Sequence, residues 1–135
     1  MSRLYKASCL CGGVKFDVSG FSHLVANCHC TMCRKFHGAA YATLVSVSEL
    51  NWLSGRGLLK DYIGHNGTIR TFCTDCGSSI GFRLKGAKLS EIEIALSTFD
   101  EAIPVTVDAN IFTNYKANWC MINDEVPIFK EGRLE

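Results

Sequence analysis

The sequence has little of what marks several common classes of protein. Its formal net charge is only +1, and Lys and Arg are spread along the chain rather than gathered into a run or stripe. That pattern argues against a nucleic-acid partner. No stretch approaches the ~20 apolar residues of a membrane span, and the opening MSRLYKASCLCGG has no apolar core of the length a secretory signal needs. The protein is therefore expected in the cytosol, with no membrane association. Low-complexity segments, linkers and internal repeats of supersecondary length are also missing. Proline occurs only at Pro104 and Pro127, positions suited to strand edges or turns. With 135 residues, 47% hydrophobic and 10% aromatic, the chain has enough apolar material for one core but not comfortably for two. A single domain over residues 1–135 is expected.

Cysteine is the exception to this sparseness, with eight in the chain. Cytosolic thiols are kept reduced, so metal binding is a better default than disulfides between the cysteines. The spacing agrees: Cys9 and Cys11, then Cys28, Cys30 and Cys33, then Cys73 and Cys76 form tight groups, and Cys120 stands alone beside Trp119 as a small buried side chain.

Apolar residues recur at period two over Val14–Val18, Tyr41–Val47, Ile80–Leu84, Ile92–Leu96 and Val105–Ile111, the signature of half-buried strands. Turn residues sit between them, including Gly12-Gly13, Ser54-Gly55, Asn66-Gly67, Cys76-Gly77 and Gly86. The expected fold class is all-β and mainly antiparallel. Helical turns are expected only over residues 28–37 and, after a Ser48 N-cap, at Ser48–Trp52.

In CTDCG, Cys73 and Cys76 are wrapped by a tight turn that Gly77 completes with left-handed geometry, as in a zinc knuckle. In CLCG, Cys9 and Cys11 lie two apart, and in an extended segment both sulfurs face one side. Together these pairs make a four-thiolate, closed, structural zinc site, although Cys28 and Cys30 are alternative partners for Cys9 and Cys11. The remaining group, NCHCTMCRKFHG, keeps three thiolates, Cys28, Cys30 and Cys33, and so resembles a catalytic zinc site with an exchangeable fourth position. The competing reading closes that position with His37, four residues after Cys33 on a helical turn. His29 lies between two ligands and is expected to point away from the metal, and His23 and His65 have no ligand spacing, so all three are expected in solvent or core. Three thiolates around zinc carry net charge of minus one, so a nearby cation favours an anionic guest, and Arg34 and Lys35 follow Cys33 directly.

Taken together and in order, CLCGGVKFDV, NCHCTMCRKFHGA and TFCTDCGSSI resemble the glutathione-dependent formaldehyde-activating enzyme family, also called the CENP-V/GFA domain. Downstream, NIFTNYKANWCMI and DEVPIF are similar to the closing strand, turn and tail of that family. The resemblance implies an Mss4-like fold of folded-over antiparallel sheets. It also implies two zinc ions, a structural one at Cys9, Cys11, Cys73 and Cys76 and a catalytic one at Cys28, Cys30 and Cys33. The activity it implies is that of a carbon–sulfur lyase, forming or cleaving S-(hydroxymethyl)glutathione from glutathione and a small aldehyde, formaldehyde. Glutathione carries two carboxylates, which makes Arg34 and Lys116 candidate anchors and Trp119 a candidate flat wall. One departure stands out: the family commonly has His where this chain has Asn110. The rival reading, which the Mss4 resemblance also permits, is a non-enzymatic zinc-binding module for protein interaction. Nothing in the sequence sets the oligomeric state.

Overall fold

The computed structural model describes residues 3–133, and among them the period-two patterning becomes ten strands and one helix. In chain order these are β1 (Tyr5–Ser8), β2 (Lys15–Val18), β3 (Gly20–Cys28), α1 (Thr31–His37), β4 (Ala42–Ser48), β5 (Asn51–Ser54), β6 (Leu59–Ile63), β7 (Ile69–Cys73), β8 (Ser79–Arg83), β9 (Glu93–Ala95) and β10 (Ala109–Ile111). They build a three-stranded sheet, β1-β2-β5, and a seven-stranded sheet, β10-β3-β4-β9-β8-β7-β6. Every strand pairing is antiparallel except that of β10 with β3, which is parallel.

The small sheet folds over one face of the large one. Ala7, Phe16 and Val18 from β1 and β2 meet Ile80 and Ile94 from β8 and β9 in one buried cluster, and all five are essentially inaccessible. Phe16 anchors it, 5.0 Å from the Trp52 ring and 6.3 Å from that of Phe99. Burying each such side chain stabilises the fold by roughly 1.5–3 kcal/mol. A β-bulge then splits the faces of β8. Thr71 pairs with Gly81 and Phe72 with Ser79, so Ile80 is left without a partner and the strand's alternation slips there. Ile80 consequently packs in the core between the sheets, whereas Phe82 joins a second cluster on the outer face with Cys28, Cys33, Ala42, Leu44 and Ala95.

Several local expectations change. Ser48–Trp52 is not helical: Ser48 ends β4, Glu49 takes a positive φ of 52°, and Asn51 opens β5, because the segment is a tight reversal between strands. CLCG is a turn rather than an extended segment, closed by Gly12 at φ 78° and a hydrogen bond from Gly12 N–H to Cys9 C=O at 3.0 Å. Of Val105–Ile111 only the last three residues form a strand. The alternation of Ile92–Leu96 gives β9, followed by a 3₁₀ turn at Leu96–Thr98.

Candidate metal centres

The first centre sits where both knuckle turns meet at one end of the core. The sulfurs of Cys9, Cys11, Cys73 and Cys76 all lie within 4.8 Å of one another. Cys9 Sγ is 3.6 Å from Cys11 Sγ, which is 3.9 Å from Cys73 Sγ. Tetrahedral zinc with Zn–S of about 2.3 Å places its sulfurs about 3.8 Å apart, so the four positions fit that ion with little adjustment. The knuckles present backbone and hydroxyl donors to the sulfurs. Val14 N–H donates to Cys9 Sγ at 3.2 Å, and Ser78 Oγ lies 3.2 Å from Cys76 Sγ, a contact that brings the Cys76 thiol down to about 5. Gly77, at φ 77°, turns the chain back so that its N–H reaches Cys73 C=O at 2.8 Å.

The second centre is assembled by the end of β3 and the start of α1. Cys28 is the last residue of β3, held by parallel pairing with Ile111 and by a 3.0 Å bond from His29 N–H to Ile111 C=O. Cys30 is the N-cap of α1, its sulfur taking the N–H of Cys33 at 3.3 Å where a Ser or Asp oxygen usually serves. Gly38, at φ 60°, ends the seven-residue helix about two turns later. The three sulfurs gather within 4.8 Å, with Cys33 and Cys28 3.4 Å apart, and among the described residues no fourth Cys, His, Asp or Glu joins them. Hydrogen bonds from Cys28 and Cys33 drive the Cys30 thiol far down, aided by Cys33 N–H and Arg70, while the same contacts and burial push Cys28 up. Three thiols gathered this closely are a donor set that gives up protons to a thiophilic divalent ion.

Arg70 supplies the countercharge. It is 4% exposed, its Nη2 lies 3.6 Å from Cys33 Sγ, its Nη1 donates to Thr68 Oγ1 at 3.0 Å, and its guanidinium lies 5.1 Å from the centre of the Phe82 ring. No carboxylate pairs with it among the described residues. A buried guanidinium without an acid needs an anion nearby, and the sulfur trio is the one at hand.

These groups open onto a cavity of about 820 Å³ on the outer face of the large sheet. Leu44, Phe82, Ile111 and Phe112 give it an apolar lining, and Met32 with His65, Asn66 and Thr68 of the β6–β7 turn also line it. Register places Ser46, Glu93, Phe82 and Arg70 side by side across β4, β9, β8 and β7, so all four line one wall.

The sequence-selected residues divide cleanly. All seven expected ligands fall into the two clusters. His37 does not join the trio; it turns into a polar recess of about 510 Å³ with Ser8, Cys9, Ser79 and Asp100, where burial lowers its imidazole to about 4. Arg34 is not the cation at the sulfurs. Its Nη1 holds Tyr115 C=O at 2.9 Å, and with Lys35 and Trp119 it lines a separate recess on the far side of α1. Lys116 turns its ammonium onto the carbonyls of Cys120 (2.8 Å) and Ala117 (3.2 Å), bracing its own loop. Trp119 is 66% exposed. Asn110 is buried rather than in the cavity, and its Oδ1 takes the fully buried His29 Nε2 at 2.9 Å and Asn27 Nδ2 at 3.4 Å, so it braces the strand segment that carries Cys28. Sequence reasoning missed Arg70 and Glu93. Each is a lone charge in an alternating strand, which reads as a solvated outward position unless the outer face is known to carry a cavity.

Among the described residues, no helix is long and apolar enough to cross a membrane. Among curated proteins none matches the chain. A solved Rhodobacter sphaeroides protein is similar over 91% of this chain and 98% of its own, with a TM-score of 0.57 and 22% sequence identity, a likeness that carries the fold. The profile described as glutathione-dependent formaldehyde-activating enzyme matches residues 4–115, spanning both cysteine clusters and Arg70, and the chain therefore belongs to that family.

Proposed function

We propose that this protein is a zinc-dependent carbon–sulfur lyase that forms, or in reverse cleaves, S-(hydroxymethyl)glutathione, with a structural zinc at Cys9, Cys11, Cys73 and Cys76 and a catalytic zinc at Cys28, Cys30 and Cys33. The observation that carries this reading is the sulfur trio, joined by no fourth protein ligand among the described residues and facing the large cavity beside Arg70. Zinc held by three thiolates supplies a site where a thiol sulfur is bound in its nucleophilic form or an aldehyde oxygen is polarised.

The chain's own groups support that chemistry. Arg70 offsets the negative charge of the trio and so lowers the cost of admitting a further anionic sulfur. Phe82, Leu44 and Ile111 exclude water from the adjoining wall, which favours condensation of thiol with carbonyl over hydration of the carbonyl. In the forward direction the sulfur bonds to the aldehyde carbon, the carbonyl π pair moves to oxygen, and the thiol proton ends on that oxygen. Cleavage reverses each movement. Family membership supports the named thiol and aldehyde. The decisive experiment measures metal and coordination together. Two zinc ions per chain, one with four sulfurs and one with three plus an exchangeable ligand that glutathione replaces, with faster exchange between glutathione and its formaldehyde adduct, is the expected result. A trio that binds no metal in fully loaded protein, or whose fourth position is filled by the protein and refuses glutathione, overturns the reading and leaves a zinc-stapled interaction module.

A further inference from the structure

The cavity beside the sulfur trio contains three ionic side chains, and two of them are already matched. Arg70 faces Cys33 at 3.6 Å. Arg133 forks onto Asp108, with Nη2 at 2.6 Å from Oδ1 and Nη1 at 3.2 Å from Oδ2. The third is Glu93, on the wall formed by Ser46, Phe82 and Arg70. Its carboxylate is half-buried and makes no hydrogen bond or ion pair among the described residues, and burial alone pushes it above the usual carboxylate range. A carboxylate held in a partly apolar cavity without a cation costs stability, and the arrival of a cationic ligand group would remove that cost.

The position of Glu93 is informative. It lies two strands from Arg70, a backbone separation of roughly 10 Å at the usual ~4.8 Å strand spacing, while Arg70 reaches from the same row to the sulfurs. A γ-glutamyl thiol spans roughly 8–10 Å from its sulfur to its α-ammonium when extended, from standard bond lengths. We infer that Glu93 is a specificity-determining residue that receives the ammonium group of the low-molecular-weight thiol whose sulfur is taken at the Cys28/Cys30/Cys33 centre. The inference rests on the thiol-binding reading above and adds the residue of this chain, Glu93 on the same cavity wall as Arg70, that meets the guest's ammonium. Thiols lacking that charge fill the sulfur end and leave the carboxylate unmatched.

The test compares glutathione with N-acetylglutathione, which keeps the sulfur and both carboxylates but has no ammonium. Binding of each to zinc-loaded protein is measured by calorimetry, for wild type and Glu93→Gln. A charge-assisted contact in a partly desolvated cavity predicts that wild type prefers glutathione by about tenfold or more. Glu93→Gln should bring the two affinities to within about twofold, by weakening glutathione alone. The ratio is taken within one protein, so a variant that is only partly folded still reports it. Wild type binding both thiols equally, or Glu93→Gln keeping the wild-type preference, overturns the role of Glu93 while leaving a thiol site intact. Wild type binding neither thiol overturns the thiol reading itself, and this inference with it.

Discussion

Replacing Arg70 with methionine, which has similar length and no charge, should strip the second metal centre while sparing the first. At 3.6 Å from Cys33 Sγ, a guanidinium and a thiolate interact by roughly 4–5 kcal/mol at an effective dielectric constant near 20. Part of that offsets the cost of holding Arg70 at 4% exposure, and the net value for a hydrogen bond to a charged partner is about 1.5–3 kcal/mol. That corresponds to a loss of roughly 10- to 100-fold in metal affinity at Cys28, Cys30 and Cys33. Because Arg70 lowers both Cys30 and Cys33, its removal raises the thiols and lets protons compete better with metal. The pH midpoint for loading the trio should therefore move up. Cobalt titration against a chelator, followed through the thiolate-to-metal absorption over a pH series, reads both quantities and distinguishes three-sulfur from four-sulfur sites. Arg70→Lys, which keeps the charge but loses the fork to Thr68, should fall between. If Arg70→Met loads the trio within twofold of wild type at every pH, the guanidinium is not its countercharge and the electrostatic argument for an added anionic ligand fails.

Three further outcomes follow from the same geometry. Cys73→Ser should loosen the whole fold, since the first centre ties the β1–β2 turn to the end of β7 and a structural zinc site contributes folding energy directly; Cys30→Ser should leave the thermal midpoint nearer to wild type while losing one metal per chain, measured by scanning calorimetry with metal analysis. Gly55→Ala should cost about 2–4 kcal/mol in chemical denaturation, because its φ of 80° is unfavourable for a side chain and an added Cβ would clash with Gly13 C=O, which as backbone cannot yield; a change below 1 kcal/mol would contradict the packing of the residue after β5 against the Gly12-Gly13 turn. His37 is lowered from 6.5 to about 4, chiefly by burial, so its neutral form belongs to the fold and the unfolded chain takes up a proton first on acidification. Stability tied to it is complete above pH ~6.5 and lost as pH falls towards 4, and His37→Gln should flatten the pH dependence of unfolding in that window.

How far the sequence discloses this protein depends on which face of each element carries the information. The cysteine groups were legible because ligand spacing is a local property: CTDCG and CLCG each need only their own turn to bring two sulfurs together. The strands with one apolar face, β2, β4, β8 and β9, were legible through alternation. β3 was not, because GFSHLVANC mixes small, polar and apolar residues on both sides: Val25 is buried, Asn27 bonds Asn110 and Thr43, and Cys28 belongs to the sulfur trio. β6 was hidden for a different reason. It is an edge strand whose Lys60 to Ile63 are all exposed, so burial leaves no pattern in it.

The charged wall of the cavity is where local reasoning gives out, for a reason specific to this fold. Whether a charge in an alternating strand meets water or a ligand depends on what covers that face. Here the small sheet takes the inner face of the large sheet, and the helix with its Cys30 N-cap takes one end of the outer face. Arg70 and Glu93 share the outer face, but their surroundings differ across two steps of sheet order: Arg70 on β7 reaches Cys33 Sγ at 3.6 Å, whereas Glu93 on β9, across Phe82, is left unmatched among the described residues. Arg34, adjacent to Cys33 in sequence, illustrates the converse. On a helix the residue following a ligand is rotated about 100° from it, so immediate neighbours in the chain point to different surroundings, and Arg34 reaches Tyr115 instead of the sulfurs. The cation that accompanies the trio had to come from another strand, 37 positions away in sequence from Cys33, and only the pairing of β7 with β8 puts it there.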